Sequence, residues 1–425
     1  MIKFLFKGIV RDRSRSLFPF LTVTIGVFLT VFLYCYMKGF MTGVATTSAA
    51  FEFGHVKVMT RAYAEEAAQM PNDAALADTG ELIASLEESY PEFEWAPRII
   101  FGGLLDVPDD AGETRSQGPA AGFAAAIIGP GPEAARERER LGLAKGLTRG
   151  RLPSRPGEIL IGDDLARKLD VSPGETVTLI GATAAGSMAM VNFTLAGTVR
   201  FGMATLDSMG FIADIEDARA ALDMDDAAGE ILGLFKNDVF RRERAEEVAR
   251  EFSASASPDE FAPTMLALTE QSGLGSYFDI ISSVSAIIMV IFLVPMTLVL
   301  WNAGLLGGLR RYGEMGVRLA VGEDKRHVYR SLLGESLVIG AMGTVAGTAL
   351  GLAISFYMQK HGLDISSLVK NATMMFPSVI NTKVTPVSYV IGFLPGLVAP
   401  FLGAAIAGRG IFKRQTARLF KELET

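Results

Sequence analysis

Long apolar runs set the layout of this chain. They fall at residues 17–37, 280–306, 332–358 and 384–407, and a large segment of mixed polarity separates the first from the second. Each run exceeds the ~20 residues that cross a bilayer's hydrocarbon core, so four transmembrane helices are expected. The intervening segment alternates apolar and polar residues in the manner of strands at 53–60, 94–105, 175–180, 192–199, 210–213 and 230–235. Helical spacing appears at 79–89, 163–169, 215–222 and 240–252. Pro156-Gly157, Pro173-Gly174 and the stretches 106–118 and 129–132 read as turns and loops. The fold class is therefore a membrane protein of four transmembrane α-helices with a large α+β domain between the first two.

Within that domain two pieces look alike. One runs strand 53–60, helix 79–89, strand 94–105; the other runs strand 230–235, helix 240–252 and a strand near 263–269. They are expected to pair into one membrane-proximal part, 42–106 with 229–276, into which a β-rich part, 107–228, is inserted. The chain then divides into 1–41, with the first span; 42–276, the extracytoplasmic domain; and 277–425, with three spans, a loop at 307–331 and a tail.

Charge gives the orientation. Lys3, Lys7, Arg11, Arg13 and Arg15 precede the first run, and Arg310, Arg311, Arg318, Lys325, Arg326 and Arg330 lie between the second and third. Arg409, Lys413, Arg414, Arg418 and Lys421 follow the fourth. All three clusters are cytoplasmic if both termini are, which leaves 42–276 and the short loop 359–383 outside. Composition refines this little: 49% apolar residues, a net charge of −7 and a mean hydropathy of +0.32 average a polar domain with a membrane part. The basic residues meet anionic lipid headgroups at the membrane surface, so no nucleic-acid partner is needed to explain them. The single cysteine, Cys35, lies in the first run, so the domain has no disulfide framework. That first run is longer than a signal-peptide core and reads as an uncleaved anchor.

Motifs for chemistry are sparse. No GxxxxGK[ST] phosphate loop occurs; the nearest string, Gly308 to Gly313, is followed by Glu314. Any ATP that powers this protein binds another chain. His55, His327 and His361 fall outside, inside and outside the membrane, which forbids a shared metal site. The string Asp223-Met224-Asp225-Asp226 lacks the glycine and closing glutamate of a calcium loop. No GxSxG elbow is present, and enzymatic activity is not expected. The alternating charges of Arg136 to Arg140 read as a solvated helix face. The spans carry almost no charge apart from Glu335, which argues against an ion relay. Gly343, Gly347 and Gly351, with Gly340 before them, line one face of the third span, either as packing within the bundle or as a dimer seam. Pro295, Pro395 and Pro400 are expected to kink the second and fourth spans.

The sharpest local signal starts at Arg310, RRYGEMGVRLAVGEDKRHVYRSLLGESLVIGAMGTVAG. It resembles the FtsX-like permease signature of type VII, mechanotransmission ABC transporters, with Arg311, Glu314, Gly316, Arg318, Ala320, Gly322, Glu335 and Ser336 on the pattern. The resemblance implies that 312–321 forms a cytoplasmic coupling helix that docks on an ATPase subunit, through Arg311, Glu314, Met315, Gly316, Arg318, Leu319 and Gly322. Gly54-His55-Val56-Lys57-Val58, Gly157 to Gly162, Pro173-Gly174-Glu175, Ala196-Gly197-Thr198 and Ile215 to Ala218 resemble the lipoprotein-releasing permeases (LolC and LolE) and the macrolide-exporter permease (MacB). The tail departs from the family in lacking a Pro-x-x-x-Ala element. The resemblance implies a bacterial inner-membrane subunit with no cofactor of its own, since ATP and Mg would sit in the partner. It implies two ATPase copies, a second permease subunit, identical or paralogous, and a lipoprotein substrate or a periplasmic adaptor or chaperone. Lipoprotein release is the expected role. Tripartite efflux or peptide export, or a non-transporting signalling permease that regulates a cell-wall hydrolase, are the alternatives.

Overall fold

The computed structural model describes residues 13–109, 111–202, 204–237, 239–271, 274–364 and 379–413. Lys3, Lys7, Arg11, Arg414, Arg418, Lys421 and most of the 359–383 loop lie outside them. The chain separates into two compact units. One comprises Met1–Met41, Ile280–Leu363 and Ile380–Thr425, and the other Thr42–Asp279 with Asp364–Val379.

The first unit holds the spans, and its helices cover all four apolar runs. Among the described residues, four segments are long and apolar enough to cross a membrane: Leu17–Phe53, Leu274–Ala320, Lys325–His361 and Pro386–Phe412. The second span runs as one α-helix, Leu274–Leu309, without interruption at Pro295. The fourth is segmented, with a 3₁₀ turn at Pro386–Tyr389, a π turn at Leu394–Val398 and an α-helix at Ala399–Gly408. Pro395 and Pro400 fall where the winding changes, because each removes an amide donor from the i to i−4 ladder.

Glycines decide how these helices meet. A Cβ on Gly343 would lie 2.8 Å from Val23, one on Gly347 2.5 Å from the Thr24 carbonyl oxygen, and one on Gly351 3.0 Å from Val31. The third span thus lies against the first along a seam of small residues. Gly304 and Gly403 do the same between the second and fourth spans, at 2.2 Å from the Pro400 and Trp301 carbonyl oxygens. Replacing Gly347 by leucine is expected to cost about 1–3 kcal/mol through overpacking. Thermal unfolding in detergent checks this, with Gly131→Leu as the control for the loss of a glycine that has nothing within 4 Å and an ordinary φ of −69.

The second unit is built on strands β1 (Val56–Thr60), β2 (Phe93–Pro108), β3 (Thr114–Ala125), β4 (Leu147–Gly150) and β5 (Glu158–Gly162). It continues with β6 (Thr176–Ala182), β7 (Met188–Val199), β8 (Phe211–Asp214), β9 (Glu230–Phe235) and β10 (Pro263–Ala267). The order β10-β1-β9-β2, with helices Thr79–Ser89 and Arg242–Ser255 as crossovers, is a split βαβ arrangement. Strand β2 serves two sheets. Phe93 to Arg98 pair with β9, and from Ile99 onward the strand pairs with β3. Pairings β2-β3, β3-β8, β8-β5, β5-β7, β7-β6 and β6-β2 then close a ring. Closure shortens the open edges without removing them, since Thr114–Gly122 of β3 pair with β2 alone. The ring encloses Phe101, Leu105, Ile159, Phe193, Leu195 and Phe211, all buried.

Two sequence expectations need correction here. The 106–118 stretch is mostly strand, since β2 runs to Pro108 and β3 starts at Thr114. The alanines, glycines and proline of β3 are poor strand formers, yet at Gly122 of β3 and Gly103 of β2 a side chain would not fit. A Cβ on Gly122 would lie 2.1 Å from the Phe211 carbonyl oxygen, and one on Gly103 2.1 Å from that of Ile180. The charged run of helix Pro132–Arg140 is likewise only half solvated. Glu137 is buried against Arg98 and Arg140, and Arg136 and Arg140 both reach Glu94. Arg98 is among the largest fully buried side chains, at the residue where β2 passes from one sheet to the other, and a buried guanidinium needs such partners. Nearby, Lys57 and Glu230 form a second buried pair at 2.8 Å.

His55 is buried between Phe235 and Phe240, and its Nδ1 accepts the Phe235 amide at 2.9 Å. Burial, helped by the positive charge of Arg140, pulls its imidazole down to about 4. The unfolded chain takes up this proton near 6.5. Stability is therefore expected to fall as pH drops from about 6.5 to about 4, by up to ~3 kcal/mol, and to change no further from this group below that window. Unfolding midpoints measured across pH 4–7 should show this slope, and His55→Gln should flatten it.

Candidate functional site

Helix Tyr312–Ala320 bridges the second and third spans. It ends where Gly322 takes φ +98, a left-handed conformation suited to glycine, and the Glu323 amide donates back to the Arg318 carbonyl. Its residues separate by face at helical spacing. Tyr312, Met315 and Gly316 are buried, and Leu319 is half-buried. This face packs with Val328 and Leu332 of the third span and with Ile411 beyond the fourth. The opposite face exposes Glu314, Val317 and Ala320, continuing into Val321 and Gly322. Val321 is 85% exposed, a cost for a valine unless something covers it.

Polar contacts fix both ends. The Arg311 guanidinium pairs with Glu335, and the Tyr312 hydroxyl donates to the Ala407 carbonyl oxygen. At the other end Arg318 makes two bonds of 2.6 Å to Glu323 and one of 3.3 Å to Ser331. Arg318 thereby holds the Glu323 carboxyl below its usual range.

Of the residues picked out in the sequence, the structure brings Arg311, Glu314, Met315, Gly316, Arg318, Leu319 and Gly322 into one short segment but gives them different surroundings. Met315, Gly316 and Leu319 face the spans; Glu314 and Gly322 face outward; Arg311 and Arg318 hold internal ion pairs. Gly343, Gly347 and Gly351 lie elsewhere, against the first span. Sequence reasoning passed over Tyr312, Val317 and Val321. The 3.6-residue period that places 312, 315, 316 and 319 on one side and 314, 317 and 321 on the other would have found them.

In the α+β unit, a cleft of about 570 Å³ opens over β2, lined among others by Trp95, Arg98, Arg136, Glu216, Arg219 and Lys236. It is charged in both signs, and its arginines are engaged by neighbouring carboxylates, Arg98 by Glu137, Arg136 by Glu94 and Arg219 by Glu216.

Comparison with known proteins agrees with this architecture. The model of the "MacB-like periplasmic core domain" matches residues 16–257, more than half of the chain, and that of the "FtsX-like permease C-terminal" matches 286–416. The chain belongs to the FtsX- and MacB-like family of ABC transporter permeases. A curated relative of this permease is the macrolide export ATP-binding/permease protein MacB of Hyphomonas neptunium, 31% identical over 106 residues. That match covers 25% of this chain and 16% of the relative's own length. Among solved structures, the periplasmic region of MacB from Actinobacillus actinomycetemcomitans aligns at 10% identity and a TM-score of 0.35, covering 52% of this chain and 92% of that one.

In this FtsX- and MacB-like permease Met315 packs into the buried face of the helix beside Tyr312. Met315→Ala is expected to cost about 2–5 kcal/mol of the packing around it. Proteolysis confined to the 312–325 segment, faster in the variant than in the unmodified chain, is the measurement.

Proposed function

We propose that this permease couples ATP hydrolysis in separate subunits to motion outside a bacterial inner membrane. Two copies of a cytoplasmic ATPase would bind ATP and Mg, and helix Tyr312–Ala320 would rest on them through Glu314, Val317 and Val321. A second permease subunit, identical or paralogous, would complete the complex. Both termini and the 307–331 loop would be cytoplasmic, and the 42–276 domain extracytoplasmic. The observation that carries the reading is the two-faced helix. Its inner side is bonded to the spans, while its outer side presents valines and a carboxylate in a loop rich in cationic residues. The sequence contains no phosphate-binding loop of its own.

For cargo, lipoprotein release is our first reading, on the resemblance of the external strands and turns to the releasing permeases. Export of a small amphiphile through an adaptor is the second, favoured by the relative whose name is macrolide export.

Val317→Asp with Val321→Asp should lower retention of the ATPase on the tagged chain at least ~10-fold, about 1.4 kcal/mol. The melting temperature of the chain should hold, because exposed substitutions stay within about 0.5 kcal/mol. Full retention in the double variant would overturn the docking assignment. In nanodiscs with the ATPase, ATP-dependent release of a triacylated lipoprotein supports the first cargo reading, and ATP-dependent macrolide movement without it supports the second.

A further inference from the structure

The second span leads directly into helix Tyr312–Ala320, so a push on that helix has an obvious covalent route. The packing follows another. Only 6% of the second span's most apolar stretch is buried, against 39% and 44% in the third and fourth. The polar contacts run to the third and fourth spans as well. Arg311 pairs with Glu335, near the start of the third span's apolar run, with the two side chains 17% and 21% exposed. Beside it the Tyr312 hydroxyl bonds the Ala407 carbonyl oxygen, and a Cβ on Gly410 would lie 2.2 Å from that hydroxyl. The two receiving spans are themselves joined. Ser336 Oγ donates to the Pro400 carbonyl oxygen at 3.2 Å, and the Tyr329 hydroxyl to that of Ala405 at 3.3 Å.

An ion pair at the edge of hydrocarbon is stiff because separating it strands two charges where water is scarce. A hydroxyl bonded to a helix carbonyl is held for the related reason that neither group has a ready substitute in lipid. We propose that Arg311, Glu335 and Tyr312 are positioning residues that lock the coupling helix to the third and fourth spans. Force from the ATPase then enters the membrane through those two spans, and the second span follows rather than leads. This rests on the coupling reading above.

The test uses the full chain with its ATPase in nanodiscs, Cys35→Ser throughout, with spin labels at Ala320→Cys and Leu350→Cys or at Ala320→Cys and Val290→Cys. The 320–350 distance should be narrowly distributed and unchanged by ATP, while the 320–290 distance shifts. Glu335→Gln should broaden the 320–350 distribution and lower transport per ATP several-fold with the ATPase still bound. The swapped pair Arg311→Glu with Glu335→Arg should narrow it again, a rescue that a loss of general stability would not give. Tyr312→Phe, which keeps the ring packing, should also broaden the distribution. An ATP-dependent 320–350 distance, or a width that Glu335→Gln and Tyr312→Phe both leave unchanged, would overturn the proposal. If ATP moves neither distance, the coupling reading fails, and the widths still judge the lock.

Discussion

Hydrocarbon solvates a leucine about as well as another leucine does, so helices in a bilayer gain little by burying apolar side chains against each other. What remains is close approach, and the membrane unit depends on it. Gly343, Gly347 and Gly351 let the third span rest on Val23, Thr24 and Val31 of the first, and Gly304 and Gly403 let the second and fourth touch backbone to backbone. The spans placed in this way supply the surfaces against which Tyr312 and Met315 pack. The segmented fourth span belongs to the same economy of space. Where prolines remove donors, the backbone changes its winding, and Gly396 fits its turn against Thr344 and Val27.

The α+β unit follows the opposite rule, because water surrounds it and burial of apolar area drives its folding. Its strand ring closes around aromatic and branched side chains. Closure brings carbonyls so near to Gly103 and Gly122 that no side chain fits at either. Charge enters the interior where β2 changes partners, as it also does at Asp163, Asp207 and Asp214. Arg98, Glu137, Arg140 and Glu94 form a connected network, with Lys57 and Glu230 close by. Such networks do little for stability compared with apolar packing, but removing one member leaves a buried charge, so they fix a single arrangement.

The short helix between the second and third spans combines the two environments. Its inner face obeys the packing of the spans, and its outer face keeps valines exposed that the chain's own core does not cover. Membership in the permease family gives that exposure a context, and on the proposed function it is the surface offered to an ATPase.

Much of this was legible in the residues themselves. Run length alone determined the four spans, because the thickness of hydrocarbon admits few other readings of so many consecutive apolar residues. Strand-like stretches located β1, β2, β6, β7, β8 and β9, although β1, β8 and β9 are buried on both faces, and helical spacing located Thr79–Ser89 and Ile215–Leu222, each with one dry face and one wet one. The coupling signature brought its candidate residues together because they are neighbours along the chain, from Arg311 to Gly322, in and around one short helix. What the sequence could not decide was anything set by a distant partner. β3 is a strand because β2 and β8 flank it, and its own residues argue for a loop. Glu137 is buried because Arg98, far away in sequence, needs it. Gly343, Gly347 and Gly351 could equally have faced another chain, until the first span was found against them. Periodicity tells which residues share a face, and only the tertiary structure tells what that face meets.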